Sequence, residues 1–218
     1  MTTVTKHSIV DALIDRHGRT YSEEAGITLR DTPSPLFRLL VLSLLLSARI
    51  GSSIAVAAAR ALSEAGWTTP RKMADSTWEE RTRTLNESGY ARYDERTASM
   101  LGDTADLVLD MYHGDLRELR DRCERDPDAE RRALQEFPGI GPVGAAIFSR
   151  EVQAVWNEMY PFADERALRS AARLRLGEDI ADLRRNTTNS DELTRLVAAL
   201  VRCGLADDHE EILAAARS

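Results

Sequence analysis

The segment with the clearest chemical capacity is a glycine-rich turn at residues 137–144. Glycine permits positive φ angles and allows the backbone to approach another group closely. In Pro138-Gly139-Ile140-Gly141 the two glycines stand at alternate positions, and Gly144 follows in the next predicted helix. Backbone amides at the start of a helix can hold a phosphate oxygen. The turn therefore predicts an anion-binding loop formed by the backbone of Gly139, Ile140, Gly141, Val143 and Gly144.

Apolar residues flank this turn and favour a hairpin of two short helices. They recur at helical spacing, so they can pack the two helices together: Leu134, Phe137, Ile140, Ala145 and Phe148. A plain tight turn between helices, with no ligand, remains the alternative interpretation.

Asp164 is the second candidate, 23 residues after Gly141. It precedes Glu165-Arg166-Ala167-Leu168, so it can cap a helix, a role worth about 1 kcal/mol. The amides and the dipole of a helix start also favour an ionised carboxylate. A fixed carboxylate can stabilise positive charge that develops in a transition state. The capping role and the catalytic role are compatible.

Few other residues offer chemistry. Cys123 and Cys203 are the only cysteines and lie far apart, which argues against a disulfide framework and a cysteine-rich metal site. The four histidines are scattered and indicate no metal site. Lys6 and Lys72 are the only lysines among 29 basic residues, so an amine mechanism has few candidates. The net charge of −7 should repel nucleic acid at long range, so any such binding must be local.

Length and composition predict a folded, soluble protein. The 218 residues are 43% hydrophobic, which is ample for a sizeable core. The longest apolar run, Leu39 to Ala48, is too short to span a bilayer. We therefore expect a cytoplasmic protein with no membrane partner.

Helical patterns dominate the chain, and no alternating strand pattern is convincing. Ser34 before Pro35, Thr69 before Pro70 and the Ser76–Glu79 segment are typical helix starts. Asp94 can cap a long helix that ends near Tyr112. Further helices are predicted at 142–156, 164–176, 190–203 and 207–217. The predicted fold class is all-α.

Taken together and in this order, four segments resemble the helix-hairpin-helix DNA glycosylase superfamily, most closely its endonuclease III-like branch. The resemblance covers residues 9–204, and its pieces are Phe37–Arg49, Gly89–Ala98, Phe137–Gly141 and Phe162–Arg169.

The resemblance implies a two-domain, all-α architecture with a central DNA-binding cleft. Residues 34–150 would form a six-helix barrel-like domain that ends in the helix-hairpin-helix motif. Residues 1–33 and 151–218 would form a second helical domain that carries the catalytic aspartate, Asp164. In the family an arginine follows this aspartate five residues later, and here that residue is Arg169. The implied partner is double-stranded DNA containing a lesion, bound by a monomer.

Two departures from the endonuclease III pattern bear on activity. Members that also cleave the strand carry a lysine two residues after the second hairpin glycine, and here that residue is Val143. The closest members hold an iron–sulfur cluster on four cysteines, whereas only Cys203 lies in the C-terminal region. We therefore expect no cofactor and no cluster. The resemblance leaves open a monovalent cation held by hairpin carbonyls.

Access to a base requires that the nucleotide leave the duplex and that a side chain fill the gap. Arg49 stands where related enzymes present an inserting side chain, with a solvated surface arginine as the alternative. Tyr90 and Tyr93 could wedge against DNA or pack between helices. Tyr160, in the segment before Asp164, could line the base pocket.

The favoured function is a monofunctional DNA glycosylase of base excision repair, which hydrolyses the N-glycosidic bond of a damaged or mismatched base. Two alternatives stay open. One is a bifunctional glycosylase with lyase activity through an unusual amine such as the N-terminus. The other is a non-catalytic helix-hairpin-helix DNA-binding protein, motivated by the acidic net charge.

Overall fold

The computed structural model describes residues 5–217 and is all-helical over that range. The prediction of an all-α fold is confirmed. Fourteen α-helices and one 3-10 helix, Asn157–Met159, cover these residues. In chain order the α-helices are α1 (Lys6–His17), α2 (Tyr21–Glu24), α3 (Pro33–Ser47), α4 (Ser52–Glu64), α5 (Pro70–Ala74), α6 (Trp78–Glu87), α7 (Asp94–Tyr112), α8 (Arg117–Arg122), α9 (Pro127–Leu134), α10 (Pro142–Val152), α11 (Glu165–Arg173), α12 (Ile180–Arg185), α13 (Ser190–Ala206) and α14 (His209–Ala215).

The chain forms two compact units. The central unit is Ser22–Ser149, and the terminal unit combines the described residues up to Tyr21 with those from Arg150 onward. The sequence predicted a first domain at 34–150, whereas the central unit begins twelve residues earlier. Side chains explain this difference. Arg38 donates to the Gly26 carbonyl at 3.0 Å, and Arg120 pairs with Asp31 at 2.8 Å, so the segment before α3 is held to the central unit.

Helix α3 forms the core of the central unit. Nine of its residues are buried, on all sides of the helix. A helix that is apolar all round must be surrounded by protein. Helix α4 packs against it, and α7 packs against α5 and α6. The buried Arg81 guanidinium ties α6 to α7 by donating to the Ala98 carbonyl at 2.9 Å, and burial lowers the pKa of Arg81.

Helix α13 is the centre of the terminal unit, with α1 and α11 packed against it and α14 packed against α1. Its buried residues join those of α1 and α11 in one apolar cluster. A polar cluster ties both ends of the unit: Asp208, just before α14, accepts from His17 and Arg16 at 2.8 Å each.

Local helix signals were predicted with mixed success. Thr69 caps α5 and accepts from Lys72 N, as expected. The capping box of α6 lies one residue later than predicted, on Thr77 and Glu80, because the Thr77 hydroxyl is the one that meets the amide three residues on. Helix α3 begins at Pro33 after Thr32, and the Ser34 hydroxyl instead donates to the Thr68 carbonyl at 2.8 Å.

The N-terminal amine, the alternative nucleophile, lies outside the described residues. Within 5–217, no helix combines the length and apolar character that crossing a bilayer requires.

Candidate active site

The glycine-rich turn joins α9 to α10 and has the geometry of a helical hairpin. Helix α9 ends at Leu134 and α10 begins at Pro142. Between them, Ile140 N donates to the Phe137 carbonyl at 3.0 Å, and Ala145 N donates to the Gly141 carbonyl at 3.0 Å. The side chains of Phe137 and Ile140 are buried, so the turn is held to the core of the central unit by its own apolar residues.

The three hairpin glycines have different physical roles. Gly139 has φ +79°, which favours glycine, and a Cβ there would lie 2.8 Å from Met100 Sδ. A Cβ on Gly144 would clash with Ser47 Oγ, so this glycine permits close packing of α10 on α3. A Cβ on Gly141 would meet nothing within 4 Å. Gly141 is therefore the residue whose backbone faces open space.

The first turn of α10 presents unpaired backbone donors beside Gly141. Amides in the first turn of any helix have no acceptor inside that helix. Those of Val143 and Gly144 belong to this turn, and Gly141, Pro142 and Val143 are all exposed. The Val143 side chain is 60% exposed, an unusual position for a valine. Anion binding by this turn stays a prediction, with which these exposed residues are compatible.

Asp164 precedes α11 and is held from two sides. Its carboxylate accepts from Ala167 N at 3.0 Å, so it caps the helix. Arg150, near the end of α10, places its Nε 3.6 Å from the other carboxylate oxygen. The Arg150 side chain is 9% exposed and that of Asp164 is 20% exposed. The carboxylate is thus held in place by an amide and a guanidinium, and part of it remains accessible.

Gln153 holds the segment that leads to Asp164. Its side-chain oxygen accepts from Phe162 N at 2.9 Å, and its side-chain nitrogen donates to the Phe162 carbonyl at 3.0 Å. The same nitrogen donates to the Arg150 carbonyl at 2.9 Å. Gln153 is completely buried, and its side-chain amide supplies hydrogen-bond partners for both the N–H and the carbonyl of Phe162. One side chain therefore fixes the path of the chain two residues before Asp164.

No protein-family model matches the sequence, and no curated protein matches it either. Among solved structures, a non-covalent endonuclease III–DNA complex aligns with a TM-score of 0.50 and 17% identity, over 92% of this chain and 86% of that one. A trapped endonuclease III–DNA covalent intermediate, an estranged-adenine complex, aligns over the same shares with a TM-score of 0.49 and 16% identity.

This chain has the endonuclease III fold. The fold predicted from the sequence resemblance, that of the helix-hairpin-helix DNA glycosylases, is therefore confirmed.

In this example of the endonuclease III fold, the hairpin belongs to the central unit and Asp164 to the terminal unit. Helix α10 contributes to both, because it begins at the hairpin and ends with Arg150 and the residues before Gln153. Neither Arg150 nor Gln153 was predicted from the sequence, since an arginine late in a helix and a glutamine just after one have many ordinary roles. Their contacts depend on the course of the loop that follows α10.

Arg49 is exposed just after the end of α3. The end of this helix adjoins the first turn of α10, because Ser47 Oγ lies where a Cβ on Gly144 would be. Arg49 is only two residues after Ser47, which contacts the hairpin region, and both belong to the central unit. This placement is compatible with contact to a ligand of the hairpin, and equally with a solvated arginine.

Tyr90 requires a correction. It is completely buried, and its hydroxyl donates to the Leu45 carbonyl at 3.2 Å. Burial raises the pKa of its phenol. A side chain in this position packs α3 against the segment before α7 and has no surface to offer DNA. Tyr90 therefore packs between helices, and it is no longer a candidate for the residue that wedges against DNA.

The other predicted residues lie at or near the surface. Tyr93 is half-buried directly before α7, with the Arg92 guanidinium 5.3 Å from its ring centre. Tyr160 is half-buried and packs on the apolar cluster of the terminal unit. Arg169 pairs with Glu165 at 2.5 Å on the exposed side of α11. Tyr93 and Tyr160 keep their candidate roles, whereas the partner of Asp164 is Arg150.

Proposed function

We propose that this chain is a monofunctional DNA glycosylase that removes a damaged or mismatched base from duplex DNA. The observation that carries the proposal is the Asp164 carboxylate, fixed by Ala167 N and Arg150 and still partly exposed, in a chain with the endonuclease III fold. The endonuclease III structure that aligns with a TM-score of 0.50 is a DNA complex. We extend that partner to this chain because its hairpin has exposed residues at the start of α10, where backbone amides lack an acceptor inside the helix.

The hairpin would hold a backbone phosphate of the DNA. Gly141 faces open space, and the amides of Val143 and Gly144 begin α10 beside it. Amides at a helix start bind phosphate oxygens without requiring a cationic side chain. This mode of binding suits a protein whose net charge is −7. Arg49, near the end of α3, would add a charged contact.

Asp164 would act on the sugar. When the N-glycosidic bond breaks, the base leaves with the bonding electrons and positive charge develops on the deoxyribose. A fixed carboxylate stabilises that charge and accepts a proton from the attacking water. The carboxylate must stay in place during this change, and the bonds from Ala167 N and Arg150 restrain it.

Water is the proposed nucleophile because the chain lacks an amine at the expected position. Val143 takes that position, and its exposed side chain cannot form a Schiff base. Lys6 begins α1 and Lys72 lies in α5, so neither belongs to the hairpin. We therefore expect lyase activity to be absent or weak. We also propose that the damaged nucleotide flips out of the duplex before its base is removed. Tyr93 would then contact the DNA as a wedge, and Tyr160 would line the base pocket.

The residues do not fit a four-thiolate iron–sulfur cluster. These 218 residues contain two cysteines, of which Cys123 belongs to the central unit and Cys203 to the terminal unit. Burial raises the pKa of the Cys203 thiol to about 12, which disfavours the thiolate that a metal requires. A monovalent cation on hairpin carbonyls remains part of the proposal. The carbonyls of Phe137 and Gly141 each accept one backbone bond and keep a second lone pair.

A non-catalytic DNA-binding protein is the second candidate, since capping α11 gives Asp164 a structural role of its own. A screen of duplex oligonucleotides separates the two. The duplexes would carry uracil, an oxidised pyrimidine, hypoxanthine or an alkylated purine, and each would be analysed for free base, abasic sites and strand breaks. We expect free base and intact abasic strands from one lesion class. Binding to all duplexes with no base release would favour the second candidate, and borohydride-trapped protein would favour a lyase.

A further inference from the structure

The terminal unit contains a cavity of about 330 Å³ that has no part in the proposed chemistry. This volume is at the lower end of the range for small-molecule sites, roughly 300 Å³ and above. Three chain segments contribute to it: the start of α1, the turn after α11, and α14 with the short segment that follows it. We call it the basic pocket, and it is lined by Lys6, Ile9, Arg175, Leu213 and Arg217.

Three of the five lining residues are cations, and none is acidic. This composition is unexpected in a chain with 36 acidic and 29 basic residues. Other arginines of the same unit, such as Arg16 and Arg173, pair with aspartates. Within residues 5–217, no carboxylate forms an ion pair with any of the three pocket cations. Like charges around one cavity repel each other, and a bound anion would relieve that repulsion.

Lys6 occupies a position that disfavours a cation. It is the first residue of α1, and the first turn of that helix contains no acidic residue. Positive charge at a helix start opposes the helix dipole. The Lys6 ammonium donates to the Leu176 carbonyl at 2.9 Å, which fixes it beside Arg175 and leaves two of its three donors for another acceptor.

One acidic group, Asp182, interacts electrostatically with Lys6 but is mainly engaged by other donors. Asp182 is close enough to Lys6 for the lysine charge to contribute to a lowered pKa, but the main cause is a hydrogen bond from Glu178 N. That bond is 2.9 Å long, and the same carboxylate pairs with Arg185. The Asp182 carboxylate is therefore already occupied by other donors.

We propose that the basic pocket binds a phosphate group. Three cations from separate segments match an anion that has several oxygens and more than one charge. Ile9 is 5% exposed and Leu213 is half-buried, so the pocket also offers an apolar wall to whatever carries the phosphate. The carrier is either a small phosphorylated molecule or the DNA backbone. This inference does not depend on glycosylase activity.

Titration of the full chain with inorganic phosphate, followed by amide chemical shifts, tests the proposal. We expect shifts at Lys6 and Arg175, and a phosphate affinity at least about tenfold weaker in Lys6→Gln and Arg175→Gln, because each loses a charged hydrogen bond. Arg217→Gln should act in the same direction. Arg217 follows the last helix, so this variant tests the pocket even if the other two disturb folding.

Lys72→Gln is the matched control, since it removes the only other lysine, an exposed one in the central unit. The same variants, titrated with undamaged duplex, distinguish the two carriers. If the pocket variants bind both phosphate and duplex more weakly than Lys72→Gln does, the phosphate belongs to DNA. If they bind phosphate more weakly but duplex equally well, the phosphate belongs to a small molecule. If the pocket variants bind both phosphate and duplex as well as Lys72→Gln does, the proposal is wrong.

Discussion

The hairpin and the Asp164 segment present their functional groups in different ways. In the hairpin, the backbone itself is the functional group, and Gly139 sets its course through a positive φ angle. In the Asp164 segment, a side chain is the functional group, and the buried side chains of Arg150, near the end of α10, and of Gln153, just after it, set its position. Backbone turns depend on a few consecutive residues, whereas the second arrangement depends on contacts made across a loop. The two regions should therefore respond differently to substitution.

The largest effect on stability is expected from Gln153→Met. The substitution conserves size but removes the hydrogen bonds to Phe162 N and the Phe162 carbonyl. Losing these two hydrogen bonds on the half-buried Phe162 backbone should lower the free energy of unfolding by about 1 to 3 kcal/mol. Chemical denaturation followed by circular dichroism measures this change.

Gln135→Met is the matched control for that experiment. Gln135 is the only other glutamine, it is exposed, and it follows α9 in the hairpin region. A surface substitution of this kind should change stability by no more than about 0.5 kcal/mol. Equal stability of the two variants would contradict the role of Gln153 in fixing the Asp164 segment.

A smaller effect separates the hairpin glycines. Gly139→Ala should lower stability by about 1 to 2 kcal/mol, because alanine is strained at φ +79° and its Cβ would meet Met100. Gly141→Ala should leave stability nearly unchanged, since its Cβ meets nothing within 4 Å.

DNA binding should be affected at Gly141 instead. A methyl group on the open side of the turn would obstruct the approach of a phosphate, so Gly141→Ala should bind every duplex more weakly. Fluorescence anisotropy with several unrelated duplexes measures this. Unchanged affinity in this stable variant would favour a tight turn without a ligand.

The smallest effect is the dependence of DNA affinity on salt. Each phosphate neutralised by a cationic side chain contributes about −0.9 to the slope of log affinity against log salt. Amides bear little net charge and add almost nothing to the slope. We expect cationic side chains to neutralise about two to four phosphates, which gives a slope of roughly −2 to −4 for this chain. A slope near −8 would mean that arginines, rather than the hairpin backbone, dominate binding.

Much of the fold was predictable because its signals are local. Thr69, Asp126 and Asp164 each cap the helix that follows, and short polar side chains at such positions bond to an amide three residues on. The hairpin was predictable for the same reason, since glycine and proline constrain their own backbone. The short helix α12 was missed because six residues carry too little periodicity.

The parts that were not predictable depend on residues distant in the sequence. For Tyr90 the sequence left both contact with DNA and packing between helices open, and its burial and its bond to the Leu45 carbonyl show that it belongs to the core. The clamp by Gln153 depends on Phe162, nine residues later, and on the route between them. Residues 22–33 joined the central unit through Arg38 and Arg120, whose partners no periodicity indicates.

The most direct test of the central claim is the single-turnover rate of base release by the full chain and by Asp164→Asn. Asparagine keeps the cap on Ala167 N, so α11 should persist, but it removes the charge that stabilises the sugar. On the lesion that the parent processes, we expect a rate lower by about 10²-fold or more, with DNA affinity nearly unchanged. Glu165→Gln, which removes an adjacent exposed carboxylate, should retain the parent rate. Base release by Asp164→Asn at the parent rate would contradict the catalytic role of Asp164.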